Sequence, residues 1–179
     1  MPLDLGGGGF NSIRWMASTR SWRSGDDDVD LDKAIFDLEN IKQGWVLLAQ
    51  GEAPEAVWDN GKRGPRPDGD GDWKRGFEVQ VYAPKLFGDE EPRAFMTNAT
   101  GACMGLQSLF VEFEAQSGAN TGKVPLVKFT GAEAAKVGKG NTAIPKLAVE
   151  KWVDRPDALT GNAAADAAAD EPPQDDVEF

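Results

Sequence analysis

One stretch of this chain carries a helical period. Leu106, Leu109, Phe110 and Phe113 fall at i, i+3, i+4 and i+7, a single apolar stripe of the kind a helix buries against a core. Thr100 stands where a helix cap belongs and Gly118 where a terminating glycine does. Elsewhere the apolar residues come in short runs between Gly, Pro and Asp clusters, and short runs between turn residues read as strands. From Phe10 to Arg23, Ile13, Trp15, Ala17 and Thr19 lie on one side of an extended chain, and Arg14, Met16, Ser18 and Arg20 on the other. Gly25 to Asp28 is a polar turn. Residues 33–50 carry Phe36, Leu38, Ile41, Trp45 and Leu47 and break near Glu39-Asn40, as two short strands or a hairpin do. Residues 59–72 are loop. Phe77, Val79 and Val81 alternate with Glu78, Gln80 and Tyr82, and another strand covers residues 93–98. Beyond the helix come strands at 124–130 and 144–153, joined by a Gly- and Lys-rich loop at 131–141.

This order predicts a mostly β chain with one main helix. Three strands, a helix and two closing strands make a five-stranded OB-like barrel, here with long loops; an α+β sandwich gives the same string. Residues 1–9, ending in four glycines, are expected to be a flexible N-terminus, residues 10–156 the folded body, and residues 157–179 a disordered acidic tail, where Ala/Asp low complexity meets Glu171-Pro172-Pro173.

The formal charge of −11 is unevenly spread. Residues 157–179 hold seven acids and no base, so the first 156 hold 23 acids and all 19 bases, a net of −4. The single cysteine, Cys103, allows no internal disulfide and fits a reducing cytoplasm. The absence of histidine removes the commonest general base and zinc ligand, and the chain is expected not to be an enzyme. No apolar run approaches membrane-spanning length, and no signal peptide or lipid-anchor motif is visible.

Sequence-independent binding of a single nucleic-acid strand needs cations for phosphates and aromatic faces for bases. Arg14, Trp15, Arg20, Trp22 and Arg23 supply both, with no acid between them. Lys74, Arg75, Phe77 and Tyr82 form a second set, and Lys128, Lys136, Lys139 and Lys146 a third. The run Lys136 to Thr142 can bring backbone amides and lysines to a phosphate. Trp22 and Tyr82 are better stacking candidates than Trp45 or Trp152, because they stand opposite the apolar alternation or beside bases. Each tryptophan alone is more simply read as core.

Asp175, Asp176 and Glu178 precede Phe179. Acids beside one ring suit a partner pocket holding a cation and an apolar hole, and the same charges can compete for the body's cations. This tip resembles those of bacterial and phage single-stranded DNA-binding proteins, in which acids precede a final Phe. The usual bacterial tip ends Ile-Pro-Phe; here Val177-Glu178-Phe179 stands instead. The segments Lys123–Gly131, Gly138–Thr142 and Trp152–Pro156 look like phage and prophage proteins of that kind. The resemblance implies an OB fold, coating of single-stranded DNA during replication or recombination in a bacterial host cell, no cofactor, and polymerase, helicase or recombinase partners reached through the tail. A homo-oligomer is left open. The alternative is a protein-interaction or virion-associated protein that does not bind DNA.

Two enzyme-like patterns fail on spacing. Asp68, Asp72 and Lys74 imitate a metal-dependent nuclease site, but the two carboxylates sit four residues apart in one glycine-rich loop. Asp68 to Asp72 also imitates a calcium loop, with Trp73 where glycine is needed and Val79 where glutamate is needed.

Overall fold

The computed structural model describes residues 12–48 and 53–159. Ten strands and two helices follow in order: β1 Ile13–Met16, β2 Ser21–Ser24, β3 Asp27–Val29, β4 Lys33–Phe36, β5 Lys42–Leu47, β6 Glu55–Trp58, β7 Lys74–Tyr82, the single turn α1 Pro84–Phe87, β8 Arg93–Thr97, α2 Thr100–Ser117, β9 Lys123–Val137 and β10 Gly140–Asp154. Every strand ladder is antiparallel. The stretch from Phe10 to Arg23 is expected as one strand; its described part, from Ser12 on, is instead a hairpin turning at Ala17–Arg20. The turn sets Trp15 directly across from Trp22, on the same face.

The larger sheet is organised around β7. β8 runs along one edge of it. β4 and β5, separated by a 3-10 turn at Leu38–Asn40, follow one another along the other edge. Then β9 joins β4, β10 joins β9, and β6 flanks β5. The segment 131–141, expected as a loop, is the far half of the β9–β10 hairpin. Gly138, at φ 59°, opens its two-residue turn, where a leading glycine is preferred.

The strands do not close into the expected barrel: β8 and β10 are not paired with one another. Two tryptophans of the N-terminal hairpin touch strands on both sides of the opening. The Trp15 indole N–H donates to the Ala143 carbonyl of β10 at 2.9 Å. The Trp22 ring meets Phe95 of β8 edge-on at 5.2 Å, and both indoles pack on Phe129 of β9 at 5.5 and 5.7 Å. The two indoles thus contact β8, β9 and β10 between them.

Helix α2 covers the core with Leu106, Leu109 and Phe113. Its N-terminal half approaches β10 through glycine: a Cβ on Gly101 or Gly105 would sit 2.6 Å from the carbonyl oxygen of Ala143 or Pro145. Thr100 does not cap this helix; Ala99 occupies that position without a side-chain bond, and Gly118 ends it at φ −62° rather than in the left-handed region. At the far end of β10, Arg155 donates to Asp37 at 3.0 Å and to Glu39 at 3.2 Å. Leu159, the last described residue, is fully buried, so the fold runs past Pro156.

Candidate nucleic-acid interface

Cross-strand register places side chains on shared faces, because directly opposed residues in a ladder project the same way. Ile35 of β4 is opposed to Tyr82 of β7 on one side and Leu126 of β9 on the other, and Leu126 to Lys151 of β10. One row across four strands therefore reads Tyr82, Ile35, Leu126, Lys151. The next row is Lys33, Lys128, Ala148. Val127, beside these rows, points into the core and is buried, so the rows belong to the outer face. Tyr82, Ile35 and Leu126 are half-buried, while Lys128 and Lys151 are exposed. Beyond Ala148, Lys146 is exposed as well, beside Thr130, whose hydroxyl donates to its carbonyl at 3.4 Å.

Two carboxylates act on these lysines, Glu150 and, through its charge on Lys33, Asp32. Glu150 pairs with Lys33 at 2.9 Å. Its pKa is lowered, first by the hydrogen bond from Lys33 and further by the charges of Lys33, Lys128 and Lys151. The same bond raises the pKa of Lys33. Among the described residues the ammonium groups of Lys128, Lys146 and Lys151 make no hydrogen bond and no close salt bridge; Lys128 and Lys151 act on Glu150 through their charge alone. The face thus carries more positive charge than it neutralises, beside a tyrosine ring and two aliphatic side chains. Phosphates and a stacked base need those two kinds of group.

The other expected residues fall elsewhere. Trp15 and Trp22 are 8% and 1% exposed and pack the core, so neither offers a ring face to a base. Phe77 is half-buried against the same core. Arg14 and Arg23 face outward from the N-terminal hairpin but are engaged there. Arg14 donates to the Gly25 carbonyl at 3.1 Å, and Arg23 donates to the Asp26 carbonyl at 2.6 Å and pairs with Asp28 at 3.3 Å. Lys74 pairs with Asp72 at 3.5 Å. Arg75 is held by both carboxylate oxygens of Asp59, one bond at 2.9 Å. Lys139 is exposed at the tip of the β9–β10 hairpin; Lys136 and Arg20 line a cleft beside it. The backbone of 136–142 forms the hairpin end rather than an amide cradle. Asp175, Asp176, Glu178 and Phe179 lie outside the described residues.

Sequence reasoning missed Lys33, Lys151 and the cluster around Trp45. The Trp45 indole N–H donates to Gly64 at 2.9 Å, and Arg63 and Arg75 stand 5.6 and 5.3 Å from its ring centre. Asp59, which fixes Arg75, has its pKa lowered to about 2, first by that hydrogen bond and then by the Gly64 amide. No single-sequence signal marks Lys33 or Lys151, since their proximity depends on long-range register. The dipeptide Asp59-Asn60 before Gly61 marks only a turn.

No protein-family model, curated protein or solved structure matches this chain. Among the described residues, no group of three or more His, Cys, Asp or Glu side chains is placed to hold a metal ion, and no helix is long and apolar enough to cross a membrane. Burial pushes the Cys103 thiol up to about 11, away from the reactive thiolate at neutral pH.

Proposed function

We propose that this chain binds single-stranded DNA on the outer face of β7, β4, β9 and β10. The observation that carries the reading is the pair of rows Tyr82–Ile35–Leu126–Lys151 and Lys33–Lys128–Ala148, with three lysines about Glu150. The phosphates lie along the lysines and a base stacks on Tyr82. A mixture of cations and ring faces with few directional groups favours a strand of any sequence over a specific duplex site.

The strand path supports the same reading. The order β8, β7, β4 with β5, β9, β10 has the helix between the third and fourth principal strands. It corresponds to the OB path left open where its third and fifth strands would meet. OB folds bind single strands on the face of their second and third strands and on the flanking loops, here β7, β8 and the β9–β10 hairpin end, so the path supports single-strand binding as a class and shares β7 and the β9–β10 hairpin with the surface proposed above. The likeness of the tail and the 123–156 segment to phage-type single-stranded DNA-binding proteins points the same way, with replication or recombination proteins as partners of the tail.

A titration of labelled oligo-dT against the full chain tests the reading. Binding is expected at low salt and weakens steeply as salt rises. Lys128→Ala combined with Lys151→Ala lowers the magnitude of the salt slope by about 1.4, at about 0.7 per lost phosphate contact on a single strand. Absence of any complex at micromolar protein in low salt would favour the protein-interaction alternative.

A further inference from the structure

An open cleft of about 560 Å³ separates the β1–β2 turn from the far half of the β9–β10 hairpin. Ala17, Ala134 and Ala143 give it a small-residue floor; Arg20, Lys136 and Asn141 give it polar walls. Among the described residues no carboxylate lines it. Two elements far apart in sequence each contribute one cation, and among the described residues neither Arg20 nor Lys136 has a hydrogen-bonded or ionic partner.

Arg20 carries a second mark. It is the one non-glycine residue with positive φ among the described residues, at 54°. An arginine pays for that conformation, since its Cβ crowds the backbone where glycine or asparagine would not. A turn that needed only the shape would be better served by glycine. Arginine adds a cation at the rim of the cleft.

We propose that this cleft is a nucleotide subsite of the strand, holding one phosphate between Arg20 and Lys136 with its base or sugar over the alanine floor. The inference rests on the reading of the sheet face as a single-stranded DNA surface and extends it to the end of the hairpin. The alanines leave room for a flat ring, Asn141 adds a neutral amide, and the absence of a carboxylate disfavours a cation. A free nucleotide and a nucleotide within a strand share this chemistry; the expected occupant is the latter.

Three variants of the full chain test it. Arg20→Gly removes the cation while suiting the positive φ, so the turn is kept. Lys136→Ala removes the second cation. Ala134→Leu fills the floor without changing charge. Each is expected to weaken oligo-dT binding about threefold to tenfold, and the first two each lower the magnitude of the salt slope by about 0.7. Wild-type affinity in all three, with oligo-dT still bound by the wild type, overturns the cleft subsite and leaves the sheet face standing. Should the wild type itself not bind oligo-dT, the reading of the sheet face falls. The cleft is then judged by dTMP, followed through the emission of Trp15, whose N–H is bonded to the cleft residue Ala143. A change in emission that Lys136→Ala abolishes supports the subsite, and no change up to millimolar dTMP overturns it. Binding of dTMP no tighter than that of inorganic phosphate contradicts the role given to the floor.

Discussion

Trp22 and Tyr82 show how far a residue's job depends on one turn. Read along an unbroken strand, Trp22 falls opposite Trp15 and looks exposed. The turn at Ala17–Arg20 reverses the chain, and the two indoles become cross-strand neighbours with ring centres 5.0 Å apart. Trp22→Ala is therefore a core truncation, expected to cost about 3–5 kcal/mol in urea unfolding. Tyr82→Ala, on the outer face, is expected to weaken oligo-dT binding by about 1–3 kcal/mol, the range of one stacked base, with a much smaller loss of stability. Equal destabilisation by the two would contradict the assignment of faces. Asp59 gives a pH signature. Its folded pKa is about 2, below the ordinary carboxylate value of 3.8, so its pairing stabilises the fold above about pH 4 and is lost as pH falls toward 2. Asp59→Asn is expected to lower the urea midpoint at pH 7, and its difference from the wild type shrinks as pH falls through that window. A difference that stays constant with pH would remove the charged pair from the account.

At the scale of elements, the helix stripe Leu106, Leu109, Phe113 and the alternation Phe77, Val79, Val81 were legible, because each period is set by local geometry. The β9–β10 hairpin was only half legible. Gly131, Gly138 and Gly140 read as a loop, whereas one of them makes the turn and the strands continue on either side. β6 was missed: its burial pattern has no buried residue, so it lacks an apolar face to announce it. The barrel was overestimated because strand order carries no information about which edges meet. Trp15 and Trp22 bridge the two unpaired strands through contacts distant in sequence. Helix α2 makes a prediction of its own. Gly→Ala inside a helix ordinarily stabilises by roughly 0.5–1 kcal/mol. At Gly105 the added methyl would meet the Pro145 carbonyl oxygen at 2.6 Å, so Gly105→Ala is expected to destabilise by about 1–3 kcal/mol in thermal or urea unfolding. A stabilising result would mean that the helix stands further from β10.

For the whole molecule, charge placement matters more than net charge. Lys33, Lys128, Lys146 and Lys151 meet on one face although 113 residues separate Lys33 from Lys146. The sequence named Lys128, Lys146 and Tyr82 for this role from local composition, and register is what brings them to two further lysines that composition did not mark. Six acids follow the buried Leu159, in residues 160–179. Truncation after Leu159 is expected to tighten oligo-dT binding at low salt by removing a competing polyanion, and an unchanged affinity would separate the tail from the proposed DNA surface. The most direct test of the central claim is a lysine-modification footprint of the full chain, read by mass spectrometry with and without saturating oligo-dT. The account predicts protection at Lys33, Lys128, Lys146 and Lys151 with Lys62, Lys85 and Lys123 unchanged. Unaltered modification of those four, or protection confined to the other three, would contradict it.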